Sequence, residues 1–247
     1  MNYLNKLVNT LIKSPISTKE FNNILEKNDT FFDSLELEKE LLLSNGLPLY
    51  FSDDNVYLKT TTTNLKDQVF CVVDIETTAG NAKDGQIIEI GAVKIKNGQI
   101  IEKYESLANA NDIPPIIQNL TGITPSMVHT APNLQTVLEE FKIFLEDDIF
   151  VAHAISFDYK FINDSLKKYD LGELYNRRLC TIELSKRVIE AERYGLKYLT
   201  EQLNIDIENH HRAFSDALST AMILKQCLEK LPKEIKTSEE LIKFSIS

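Results

Sequence analysis

Val69-Phe70-Cys71-Val72-Val73-Asp74-Ile75-Glu76-Thr77-Thr78 decides how the rest of the chain is read. The first five residues are continuously apolar and rich in β-formers, the pattern of a buried strand. The run passes without a turn residue into Asp74 and Glu76. Residues two apart on a strand point to the same face, so these carboxylates project together beside a core-forming segment. Burying two like charges costs several kcal/mol unless a cation compensates them. A lone Asp-x-Glu is more often a strand reaching its solvated end, so the pair needs further carboxylates before it signifies chemistry.

Working outward, the pattern is α/β. Strands are expected at Ile87–Ile95 and Gln99–Ser106 around an Asn97-Gly98 turn, and at the apolar run Ile149–Ala152. Helices are expected from near Pro132 to Leu145, from about Tyr159 to Tyr169, over Gly195–Leu203 and over Ala213–Leu231, where Pro232 stops the last. This reading gives an α/β domain over residues 67–232. Residues 233–247 read as a polar, loose tail.

Residues 1–66 follow a different pattern. Helices are expected over Tyr3–Lys13, Thr18–Glu26 and Ser34–Ser44, the last stopped by Asn45-Gly46. Leu47–Phe51 and Val56–Lys59 then suggest a hairpin. Three helices and a hairpin resemble a small α+β winged-helix module, with the polar run Thr60–Asn64 as its linker. The segment holds seven lysines, no arginine and nine acidic residues, which favours packing or partner docking over reading DNA.

The 247 residues carry a formal charge of −10, which argues against broad electrostatic binding to duplex DNA. It leaves room for an enzyme that grips a few nucleotides through bound cations. No apolar run approaches the ~18 residues needed to span a bilayer, so no membrane role is expected. Cys71, Cys180 and Cys227 are odd in number and far apart, matching neither a disulfide framework nor a zinc spacing; a reduced cytoplasm is expected.

Further carboxylates stand where the strand–helix pattern would deliver them. The strand at Ile149–Ala152 leads through Phe157 to Asp158 at a helix start, where a capping aspartate is the ordinary alternative. His211-Arg212-Ala213-Phe214-Ser215-Asp216 opens the last helix. Carboxylates at strand ends and helix starts, with a His–Asp pair, are what a metal-dependent phosphodiester hydrolase needs. Oxygen donors without a Cys/His cluster suit magnesium or manganese rather than zinc.

With these motifs in place, the chain resembles the DEDDh family of 3′–5′ exonucleases over roughly Val69 to Leu231, which implies a ribonuclease H-like fold, a mixed sheet flanked by helices. The resemblance rests on Asp74-Ile75-Glu76-Thr77-Thr78 with Ile87-Ile88-Glu89-Ile90-Gly91-Ala92-Val93, on Val151-Ala152-His153 through Phe157-Asp158, and on His211-Arg212-Ala213 with Asp216-Ala217. Leu120–Thr124, Ala131-Pro132 and Cys180–Leu184 are lesser landmarks. Two positions depart from the family pattern: Ala154 stands where an Asn is common, and Ala79 separates the threonines from Gly80.

The resemblance implies a two-metal mechanism. Asp74 would bridge two divalent ions, Mg2+ or Mn2+. Glu76 and Asp216 would complete one site, and Asp158 the other, directly or through water. His211 would act as general base, with His210 its competitor; Thr77, Ile75 and Phe157 would hold the terminal nucleotide. Products would be nucleoside 5′-monophosphates. The branch most resembled is the proofreading epsilon subunit of bacterial DNA polymerase III and its free-standing relatives. That implies a single-stranded or frayed 3′ DNA end as substrate and a replicative polymerase as partner. An RNA-trimming enzyme of the same superfamily shares these motifs, and a catalytically inactive binding scaffold is the non-enzymatic alternative. His129 and His153 read as structural, and Arg177, Arg178 and Arg212 as surface residues able to meet phosphates. Gln135-Thr136-Val137-Leu138 with Phe141 looks like a sliding-clamp peptide, but its helical spacing points to core packing.

Overall fold

The computed structural model describes residues 3–27, 34–52, 54–205 and 211–247. The N-terminal segment folds as α1 (Tyr3–Lys13), β1 (Ile16–Ser17), α2 (Thr18–Glu26), α3 (Leu35–Ser44), β2 (Leu49–Ser52) and β3 (Asn55–Leu58). The three strands pair antiparallel in the order β1-β3-β2. Helix–strand–helix–helix–strand–strand is the winged-helix order; β1, two residues long, is too short to leave a pattern in the sequence. Ser17 caps α2 by accepting the Glu20 N–H at 3.1 Å. Leu7, Leu11, Phe21, Leu25, Leu42 and Leu58 give this segment a core of its own.

The expected linker is not loose. Residues 59–61 form a 3-10 turn, and the buried Thr60 hydroxyl donates to Glu239 at 2.7 Å. Asn45 joins the two parts at the other end, where its side chain accepts from Lys142 Nζ at 2.8 Å and its carbonyl from the Tyr175 N–H at 2.6 Å. Gly46 is left-handed (φ +82°), and a Cβ there would lie 2.3 Å from Asn176 Oδ1, so glycine is required twice over.

The second part is built on β4 (Val69–Thr77), β5 (Ile87–Lys96), β6 (Gln99–Leu107), β7 (Ile149–Ala152) and β8 (Arg178–Cys180), ordered β6-β5-β4-β7-β8. β6, β5 and β4 are antiparallel, whereas β7 and β8 run parallel to β4. The Asn97-Gly98 turn has both residues at positive φ, as a two-residue hairpin requires. Between the strands come α4 (Pro115–Thr121), α5 (Pro125–Val128), α6 (Leu134–Leu145), α7 (Ser156–Lys168), α8 (Thr181–Val188), α9 (Leu196–Gln202), α10 (Ala213–Glu229) and α11 (Ser238–Ile246). α6 and α7 cover one face of the sheet around Phe141, Phe150 and Phe161; α8 to α11 cover the other around Phe70, Val72, Leu184 and Leu224. Each fully buried phenylalanine contributes roughly 1.5–3 kcal/mol. The clamp-like segment lies in α6 with Val137, Leu138 and Phe141 buried, so its spacing serves the core. Among the described residues no helix is long and apolar enough to cross a membrane.

Two expectations need correction. The C-terminal stretch is not a loose tail: α11 starts with a capping box of Thr237 and Glu240, and Leu241 and Ile242 are buried against α8. The Thr-x-x-Glu ahead of Leu-Ile was the signal for this helix. α7 also begins earlier than expected, at Ser156, so Asp158 lies within its first turn and not ahead of it.

Candidate active site

Strand alternation and one glycine bring the carboxylates together. On β4, Cys71, Val73 and Ile75 point into the α6–α7 layer, and Phe70 and Val72 into the α10 layer. By the same alternation Asp74 and Glu76 face α10. β5 runs alongside, pairing Asp74 with Gly91 and Glu76 with Glu89. A Cβ at Gly91 would lie 2.1–2.4 Å from backbone atoms of Ala213 and Phe214, so α10 begins in direct contact with bare strand backbone. That approach lowers Asp216, in the first turn of α10, onto the two strand carboxylates. Ligand oxygens of Asp74, Glu76 and Asp216 lie within 4.8 Å of one another.

Asp158 reaches the same strand end from the other helix layer. It is 3% exposed, and its carboxylate accepts the Ile75 N–H and its own N–H. Burial pushes its pKa up to about 7 against those two donors. Burial, with the negative charges of Asp158, Asp216, Glu76 and Glu89, holds Asp74 well above the carboxylate range. Burial and the same acidic neighbours bring Glu76 to about 8, while Arg212 works in the opposite direction. Asp74, Glu76 and Asp158, which resist ionisation, crowd together with Asp216 as a cation site in chemical terms: one divalent ion removes repulsion that protons otherwise have to relieve. The donors are all oxygen, which fits magnesium or manganese.

A pH-dependent stability follows. Folded pKa values of about 7 and 8 exceed ordinary carboxylate values, so between roughly pH 4 and 8 the metal-free folded state holds more protons than the unfolded chain. This contribution is complete at the acid end and is lost as the pH rises through the folded pKa values. Metal binding releases those protons. The rise in melting temperature on adding Mn2+ to chelator-treated protein should therefore be larger at pH 8 than at pH 5.5. An equal rise at both would show that the metal does not bind at these groups.

The other expected site residues fall as follows. His211 is exposed, left-handed (φ 65°) and directly precedes Arg212, the N-cap of α10. His210 lies outside the described residues. Phe157 is 40% exposed at the start of α7, its ring against Phe161 at 5.8 Å. The Ile75 side chain is buried in the core, so only its backbone belongs to the site. The Thr77 hydroxyl donates to the Ala79 carbonyl at 2.8 Å and orders the loop after Glu76.

His153 is structural, as expected. Its Nε2 donates to the Tyr194 carbonyl and its Nδ1 meets Thr181 Oγ1, both at 2.8 Å, and burial lowers its pKa to about 4. The arginines are engaged within the protein rather than held out for phosphates. Arg177 pairs with Glu239, Arg178 lies 4.7 Å over the Tyr159 ring, and Arg212 pairs with Glu89. Ala154 takes φ 70°, a region Asn and Gly enter more readily, so the Asn common in the family at this position has a backbone reason. The roles of Glu89 and Gly91 were not read from the sequence, where they appear as ordinary members of an apolar strand; a carboxylate and a glycine inside a buried run were the available signal.

The family model described as an exonuclease, RNase T, matches residues 71–224. DNA polymerase III of the PolC type from Staphylococcus epidermidis is 36% identical over 203 residues, and the Staphylococcus aureus protein 35% over 193 residues. These matches cover 81% and 77% of this chain but only 14% and 13% of the polymerases, so the chain spans about one seventh of their length. Among solved structures, exonuclease X in complex with 5′-overhanging duplex DNA aligns with a TM-score of 0.58 and 23% identity, over 71% of this chain and 99% of the other. Escherichia coli exonuclease I with a dT13 oligonucleotide aligns with a TM-score of 0.60 and 16% identity, over 68% and 42%. At these identities the two structures establish the ribonuclease H-like fold, and the family match covers most of the chain, including Asp74, Glu76, Asp158 and Asp216. The chain belongs to the RNase T exonuclease family.

Proposed function

We propose that this chain is a 3′–5′ exonuclease acting on DNA, releasing nucleoside 5′-monophosphates from single-stranded or frayed ends in a proofreading role. The convergence of Asp74, Glu76 and Asp216, with Asp158 held to the same strand end by the Ile75 N–H, carries this reading. Bound divalent ions supply positive charge for the attacking and leaving oxygens of the phosphodiester. Asp74, Glu76 and Asp216 would hold one ion, and Asp158 with Asp74 would hold a second. His211 takes the proton from the attacking water, its place ahead of α10 keeping it exposed to substrate. Phe157 offers an aromatic face for the terminal base. Thr77 orders the neighbouring loop, and the Ile75 backbone keeps Asp158 in place.

Similarity to polymerases of the PolC type supports a DNA substrate and association with a DNA-synthesising partner. The exonuclease structures that share this fold are complexes with DNA, which supports the same substrate class. A paired end must lose stacking and pairing before entering such a site, at a cost of a few kcal/mol that is least for a mismatch. The acidic chain offers little duplex affinity to offset it.

Initial rates on 5′-labelled single-stranded, mismatched and fully paired DNA, and on single-stranded RNA, test the proposal. Stepwise shortening from the 3′ end is expected, slowest on the paired end. A strong preference for RNA would assign the chain to RNA trimming, and equal rates on paired and frayed ends would remove the proofreading role.

A further inference from the structure

Glu89 is a fully buried carboxylate in the site that does not join the converging ligands. It stands opposite Glu76 in the β4–β5 register, on the same sheet face. Its oxygens are taken up elsewhere. Oε1 accepts from Arg212 Nη2 and, at 3.0 Å, from Arg212 Nε; Oε2 accepts from the Ala213 N–H at 2.8 Å and from Arg212 Nε at 3.2 Å.

Ala213 is the first residue of α10, and Arg212, its N-cap residue, makes no side-chain cap hydrogen bond to the helix. Glu89 thus caps α10 from across the sheet, which satisfies one of the free N–H groups of the first turn and places negative charge at the positive end of the helix. Two residues along β5 on the same face, Gly91 leaves room for the Ala213–Phe214 backbone. Glu89 and Gly91 together seat the start of α10 on β5. The same seat governs two functional groups: Asp216 lies one turn into the helix, and His211 is joined directly to Arg212.

We infer that Glu89 is a positioning residue. Through the Arg212 guanidinium and the Ala213 N–H it sets where α10 begins, and thereby holds His211 and Asp216 in working geometry without binding metal itself. The inference rests on the exonuclease reading above. The planar guanidinium matters because it engages both carboxylate oxygens in a fixed fork, which a lysine ammonium does not reproduce.

The test uses the full chain with Glu89→Gln, which keeps the shape and loses the charge, and Arg212→Lys, which keeps the charge and loses the fork. Glu89→Ala is a harsher companion that need not fold. Three quantities are read for each: kcat and KM on single-stranded DNA, Mn2+ stoichiometry by calorimetry, and melting temperature. Both conservative variants should lower kcat by about 10–100-fold, the usual cost of removing a group that orients ligands. KM and Mn2+ stoichiometry should stay within about twofold of wild type. The double variant should lose little more than either single one, because both act through one pair.

Loss of one Mn2+ equivalent in Glu89→Gln would make Glu89 a ligand and overturn the inference. A lower melting temperature with unchanged kcat would reduce it to a structural contact and also overturn it. Wild-type protein that binds Mn2+ yet releases no nucleotide would sink the exonuclease reading itself, an outcome distinct from an active enzyme indifferent to Glu89.

Discussion

Asp74→Asn should abolish nucleotide release while leaving the fold intact and, without metal, no less stable than wild type. Asp74 stands at the centre of the acidic group, held well above the carboxylate range by burial and by Asp158, Asp216, Glu76 and Glu89. Replacing its carboxylate by an amide of the same size removes one of these mutually repelling groups, so metal-free repulsion falls. The same change removes the ligand common to both proposed ion sites. Losing several kcal/mol of transition-state charge stabilisation corresponds to roughly a 10³-fold or greater drop in rate. Activity assays with melting curves, each with and without Mn2+, separate the two effects. The Mn2+-induced rise in melting temperature should shrink together with activity. Near-normal turnover in Asp74→Asn would remove the two-ion assignment.

His211→Ala should reduce kcat by roughly 10²–10⁴-fold, the range expected for loss of a general base. The described residues support this choice by connectivity. His211 is exposed and joined to Arg212, whose ion pair with Glu89 ties the start of α10 to β5. A left-handed residue at this point turns the chain sharply into the helix. Metal binding should survive, because the proposed ligand oxygens belong to Asp74, Glu76, Asp158 and Asp216. A base acts on the chemical step, so the loss belongs in kcat with KM little changed. The comparison variant is His210→Ala, which should be much milder; reversed severity would transfer the role to His210. His153 offers no third candidate, since both ring nitrogens are engaged inside the fold.

The N-terminal segment bears on how the site is held. Thr60 and Arg177 meet on Glu239 of α11, and Asn45 bonds to both Lys142 and the backbone before β8. These bonds tie the segment to α6, to the loop before β8 and to α11. An element with its own core and direct bonds to the exonuclease fold can carry a partner without a flexible tether. The acidic balance of residues 1–66 still speaks against a nucleic-acid surface.

The sequence by itself determined the elements whose signals are local. β4 was legible because an apolar run buried on both faces needs no partner to be recognised. The hairpin at Asn97-Gly98, the helices from Leu134 and from Ala213, and the stop at Asn45-Gly46 rest on periodicity or turn chemistry within about ten residues. The acidic motifs could be found for the same reason, and a resemblance supplied the order that links them. Tertiary structure alone decided which of these residues act together. Asp74, Asp158 and Asp216 are far apart in the chain, and they meet because β7 pairs parallel to β4, α7 follows β7, and Gly91 admits α10 against β5. Glu89 stands out in the sequence only as a carboxylate inside a buried run, and its role could not be read there, since it depends on a helix start more than a hundred residues away. The same limit applied to α11, whose capping box is local but whose burial against α8 is not. Capping and periodicity act over one or two turns, whereas a shared cation or a cross-sheet cap requires strand register and packed layers to be in place first.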